Sequence, residues 1–169
     1  MKQGFKISLR QGFSLGLIAL LPILGNLLSS ANARANLNNN NHSNLTVEID
    51  GLKNKEGQIC LSLFSRRQGF PDNGKNALES KCIKITETPQ KVIFSNLKTG
   101  NYAVAVIHDA NGDGTLNTNS FGIPTEAFGF SNNPLILTKA PTFNESAVLV
   151  VGSNTNTNIQ IKLQNLLGG

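Results

Sequence analysis

Histidine and cysteine each occur only twice in the 169 residues, tryptophan is absent, and tyrosine appears once. These shortages exclude a good deal. His42 stands in an Asn-rich stretch with no second His, Cys or acid near it, which argues against a metal site there. No Ser or Cys occupies a nucleophile context, and His108 has no second His with which to hold zinc. The longest apolar run, FSLGLIALLPILGNLL, is broken by Pro22 and Gly25 and falls short of the ~20 residues of a spanning helix. No Cys follows that run, which argues against a lipid anchor. No segment carries an amphipathic helical period of useful length, so a helical bundle is excluded.

The basic start with Lys2, Lys6 and Arg10, the short apolar core and the small residues Ala31, Ala33 and Ala35 together form a secretory signal peptide over residues 1–35. Export by the general secretory route to the periplasm or medium is expected, with no membrane span after cleavage. Four of the fifteen Lys and Arg lie in this leader, leaving eleven bases against ten acids. The high isoelectric point is therefore a targeting feature, and nucleic acid is not an expected partner. Residues 36–44 read as an Asn-rich disordered tether, and residues 45–165 as a single domain.

Within that domain, LTVEIDGL, QICLSLFS, CIKIT, KVIFSNL, GNYAVAVIHD, SAVLVVG and TNIQIKLQN read as short strands between Gly, Pro and Asn turns. RRQGFPDNGKNALES reads as a loop with one helical turn around Ala77–Glu79, its Arg66 and Arg67 beside Phe70 expected to pair with loop acids, with anion binding the alternative. The expected architecture is all-β, an antiparallel immunoglobulin-like or prealbumin-like sandwich of about seven strands. GNYAVAVIHD is the most apolar and the expected central strand, with the Tyr102 ring inward. Cys60 and Cys82 both leave the apolar faces of their strands, and an even count in an exported chain favours a disulfide between them.

The long connection His108–Asn133 carries the functional candidates. Asp109, Asn111 and Asp113 alternate ahead of Gly114, Thr115, Leu116 and Asn117, the front half of a calcium loop. Calcium takes six to eight hard oxygens, and side chains at positions one, three and five can converge on it. The Thr115 carbonyl, Asn117 and Glu126 are the further candidate ligands, because the position of the usual bidentate acid holds Ser120. Asp, Asn and Gly also serve a plain turn, bonding their own backbone. His108, Asp109 and Glu126 form the alternative, enzymatic candidate, as a general base with carboxylates. The second half of the loop, with Phe121, Pro124, Phe128 and Phe130, reads as an apolar lid over one end of the sandwich. Its alternative is an exposed aromatic patch for a protein or carbohydrate partner.

The segments GQICLSLFS…GFP, NLKTGNYAVAVIHDANGDGTLNTN, GIPTEAFGFSNN and APTFNESAV together resemble the bacterial secreted family known as domain of unknown function 2141. The resemblance covers nearly all of residues 45–163. It implies an exported single-domain β-sandwich and assigns no activity, substrate or catalytic residue. The combined expectation is a non-enzymatic exported module, with calcium the one candidate cofactor; an enzyme of unknown chemistry and a purely structural envelope protein are the alternatives.

Overall fold

The computed structural model describes residues 42–136, 138–152 and 154–167. The signal peptide and residues 36–41 of the tether lie outside them. The chain divides into Met1–Asn36 and Leu37–Gly169, and the second unit holds the fold.

Among the described residues eight strands form two sheets: β1 (His42–Asp50), β2 (Gln58–Phe64), β3 (Glu79–Lys84), β4 (Gln90–Lys98), β5 (Gly100–Asp109), β6 (Phe128–Phe130), β7 (Val148–Val150) and β8 (Asn156–Lys162). One sheet runs β4-β1-β8, the other β3-β2-β5-β6, with β7 also paired to β5. This is the expected all-β sandwich. The inward residues of both sheets interdigitate as alternation requires: Leu45, Val47 and Ile49 of β1, Phe94 of β4 and Ile161 of β8 cluster with Ile59, Leu61 and Leu63 of β2 and Val104 and Val106 of β5. Tyr102 is buried with them, and its hydroxyl donates to the Lys98 carbonyl at 2.9 Å, locking the β4–β5 turn. No helix among the described residues is long and apolar enough to cross a membrane.

β5 reads apolar on both faces because both are covered. Its outer residue Ala103 packs with Phe64 and Phe143, against Phe70 and Ala77 of the segment between β2 and β3. Cys60 stands directly opposite Cys82 across β2 and β3, and the two form the expected disulfide.

Several local expectations change. His42–Asn44 belong to β1 and not to a tether: His42 and Ser43 pair with Lys98 and Leu97 of β4, and Asn44 with Asn156 of β8. Polar composition hid the strand, since Ser43 is buried as a hydrogen-bonder to the Gly152 carbonyl and not as an apolar contact. β8 runs parallel to β1, so the sandwich is mixed. The helical turn is a 3₁₀ turn at Gly74–Asn76, ahead of the position expected, with β3 starting at Glu79. A short helix α1 (Phe143–Ser146) precedes β7, held by a capping box between Thr142 and Glu145.

β6 was expected as part of a lid. It is a strand because Gly129 lets it lie against the other sheet: a Cβ there would stand 2.7 Å from the Ile161 side chain. With Gly129 facing inward, Phe128 and Phe130 share the opposite face and are buried, with ring centroids 5.8 Å apart. Phe128 also exchanges two backbone hydrogen bonds with Gln164, which continues β8 past the sheet corner.

Candidate functional site

β5 ends at Asp109, and register fixes what that side chain meets. Gln58 of β2 lies directly opposite, on the same outer face, and its amide donates to Asp109 Oδ2 at 2.7 Å. The chain then turns sharply. Gly112 and Gly114 both hold positive φ, 78° and 77°, which brings successive backbone N–H groups round to one side. The N–H groups of Gly112 and Asp113 donate to Asp109 Oδ1 at 2.8 and 3.1 Å, and that of Gly114 to Oδ2 at 2.8 Å. Asp109 is fully buried with no ion pair among the described residues, and its charge is met by four donors. A carboxylate has about four lone-pair sites, so Asp109 is saturated. Burial raises its pKa, but the Gln58 amide and the three backbone donors outweigh burial and hold the carboxyl below its ordinary range.

Asp113 is filled in the same way from the exposed side. Its Oδ1 accepts from the Thr115 backbone N–H and hydroxyl, each at 2.8 Å, and its Oδ2 accepts from the Asn111 and Asn117 amides at 2.9 and 3.0 Å. The Asn117, Thr115 and Asn111 side chains hold its carboxyl far below the ordinary range. Glu126 closes the neck of the loop: Oε1 accepts from Ala110 N–H and Oε2 from Asn117 N–H, both at 2.9 Å.

The six candidate metal residues are thus close in the chain and are held by hydrogen bonds of their own. Among the described residues no group of three or more His, Cys, Asp or Glu could hold a metal ion. As folded, every lone pair that Asp109 and Asp113 would offer accepts an N–H or O–H. Thr115 contributes through its N–H and hydroxyl, Asn111 and Asn117 direct amide nitrogens at the Asp113 carboxylate, and the Asn111 oxygen accepts from the Asp113 N–H at 3.2 Å. The Oδ1 of Asn117 is buried and without a partner among the described residues.

The enzymatic trio is likewise engaged separately. His108 is buried, and its Nε2 donates to the Glu56 carbonyl at 2.8 Å, since a carbonyl can only accept. Asp109 and Glu126 are held by the backbone groups described above.

Beyond the neck the loop forms a compact tip. Asn119 Oδ1 accepts from the N–H groups of Phe121 and Ile123, both at 3.0 Å, and Asn119 N–H donates to the Ile123 carbonyl at 2.9 Å. Thr118 pairs with Pro124 across it. The expected lid is therefore two separate things. Phe128 and Phe130 lie in β6 and are buried, Pro124 is half-buried at the base of the tip, and Phe121 is 87% exposed at its end. Asn119 holds the backbone at Phe121 and Ile123, with the Phe121 ring exposed between them.

A family model described as an uncharacterized protein conserved in bacteria, DUF2141, matches residues 47–160. The chain belongs to this family. No curated protein and no solved structure matches it. The DUF2141 match runs from β1 into β8 and takes in the Asp109 turn, the Glu126 neck and the Asn119 tip. Two of the residues that organise the site in this DUF2141 chain carry little signal in the sequence. Gln58 lies 51 residues from Asp109 and is found only through the β2–β5 register. Asn119 sits in the stretch N-S-F-G, where an Asx-turn is readable from the Asn and Gly but its role in holding up an aromatic is not.

Proposed function

We propose that the protein is an exported, non-enzymatic β-sandwich module that engages a protein or carbohydrate partner on the cell envelope through the tip of its long loop. The observation that carries this is Phe121, the most exposed large apolar side chain among the described residues at 87%, held on a backbone that Asn119 clamps on both sides. An aromatic ring in water costs free energy, and one on an ordered tip has already lost the conformational entropy that binding would otherwise remove. Export is supported by the leader and by the Cys60–Cys82 bridge, which suits an oxidising compartment. The non-enzymatic character is supported by the separate engagement of His108, Asp109 and Glu126.

The test uses the mature protein and isolated bacterial envelope fractions, measuring retention in a sedimentation assay. A Phe121→Ser variant should lose at least about tenfold in apparent affinity, the scale of a buried aromatic anchor, while its melting temperature stays unchanged. Equal retention of both proteins contradicts the proposal.

One observation favours a second function for the loop, cation binding. Half-turns of the Asn111 and Asn117 amides would present two oxygens beside Asp113 Oδ2, and the buried Asn117 Oδ1 would then gain a partner. Such an ion would bind only the folded loop and raise the melting temperature at millimolar calcium.

A further inference from the structure

We infer that the cleft between the turn following β2 and the segment leading into α1 binds a small organic anion, a carboxylate or phosphate group carried on an apolar body. The cleft encloses about 580 Å³ and is lined by Arg67, Phe70, Pro71, Lys139, Pro141 and Phe143 among others. That volume is in the range of small-molecule sites. It lies apart from the residues of the Phe121 tip, and the inference stands independently of the function proposed for that tip.

The floor is rigid. The Phe70 ring packs edge-on against Phe64 at 5.3 Å and against Phe130 and Phe143, each at 6.0 Å between centroids. Three aromatic neighbours fix its orientation, yet Phe70 is only half-buried, which leaves part of the ring available in the cleft. Pro71 and Pro141 stiffen the two walls. Such a surface suits a flat apolar body without reorganisation.

The rim is cationic. Arg67 and Lys139 both line the cleft, and neither side chain has a hydrogen bond or salt bridge among the described residues. The expected pairing of Arg66 and Arg67 with loop acids is therefore not made. The acids around the cleft do not cancel the rim. Asp72 is the one acid in the lining against Arg67 and Lys139, so the lining keeps a net positive charge, and Glu145, outside the lining, attracts Lys139 while its carboxylate accepts from the N–H and hydroxyl of Thr142. Two cations against one acid in the lining, beside a fixed aromatic floor, are complementary to an anionic head on an apolar body. The Arg67 guanidinium can grip a carboxylate or phosphate with two parallel hydrogen bonds, and Lys139 adds a point charge.

Calorimetric titration of the mature protein with phenyl phosphate, benzoate, inorganic phosphate and the neutral benzyl alcohol tests this. Saturable binding of at least one aromatic anion is expected, about tenfold or more tighter than inorganic phosphate and benzyl alcohol. Whether phenyl phosphate or benzoate binds better assigns the head group. An Arg67→Gln, Lys139→Gln double variant should weaken that binding at least about tenfold with its melting temperature unchanged, since both side chains are free of structural partners. The inference is overturned if neither aromatic anion saturates, if benzyl alcohol or inorganic phosphate binds as well, or if the folded double variant retains wild-type affinity. Should the double variant melt early, Lys139→Gln alone supplies the same comparison.

Discussion

Replacing Asp109 with alanine is expected to destabilise the protein by about 3 kcal/mol, read from chemical denaturation. Four donors lose their acceptor: the N–H groups of Gly112, Asp113 and Gly114 and the Gln58 amide. A hydrogen bond to a charged group contributes about 1.5–3 kcal/mol, but the turn at residues 112–114 is exposed and water replaces part of the loss there. Gln58 is half-buried, and its amide is left facing the sheet surface. Asp109→Asn keeps one accepting oxygen, and its amide nitrogen would oppose donors already in place, so it should cost about half as much. A loss under 1 kcal/mol for Asp109→Ala would show that the cradle is decoration.

The same carboxylate gives the stability a pH dependence of known sign. The folded pKa of Asp109 lies below its unfolded value of about 4. Its contribution is therefore present above pH ~4 and is lost as pH falls through the folded value. Asp113 and Glu145, also held below the ordinary range by their hydrogen bonds, act in the same direction. Denaturation midpoints should fall on acidification from pH 5 to pH 2, and the fall should be shallower in Asp109→Asn, which has no proton to take up there.

Removal of the disulfide is the second large effect. Cys60 and Cys82 are 22 residues apart, and opening a loop of that size returns chain entropy to the unfolded state equivalent to about 3 kcal/mol. The bridge ties β3, an edge strand, to β2, which also carries Gln58. The double variant Cys60→Ser, Cys82→Ser should lose about that much in a denaturant titration. Wild type in reductant should shift towards the variant, because Cys82 is exposed. Coincident midpoints for bridged and unbridged protein would contradict the assignment.

What the sequence disclosed and what it hid divide along physical lines. The alternation of Leu45, Val47 and Ile49, or of Ile59, Leu61 and Leu63, is legible because one face of each strand meets the core. The Cys60–Cys82 bridge is legible for the same reason, since parity puts both residues on the outer face. β6 is hidden because it spans three residues around a glycine and owes its place to a close approach to Ile161. The parallel pairing of β8 with β1 depends on the whole chain path, to which no local pattern points. Asp109 is the instructive case. D-x-N-x-D-G specifies oxygens at alternate positions and glycines at positive φ, and a metal loop and a self-filled N–H cradle need the same residues. What separates them is where the lone pairs are spent, and that follows from Gln58 across the sheet and Glu126 across the neck.

Amide hydrogen exchange at Gly112, Asp113, Gly114 and Asn117, measured on the mature protein in chelator and again in millimolar calcium, tests most directly whether the loop is held by its own donors. If Asp109 and Glu126 hold it, all four amides exchange at least about tenfold more slowly than in an unfolded chain in both conditions. Amides that exchange freely in chelator and become protected only in calcium, with a rise in melting temperature, would show that the loop is a metal site after all.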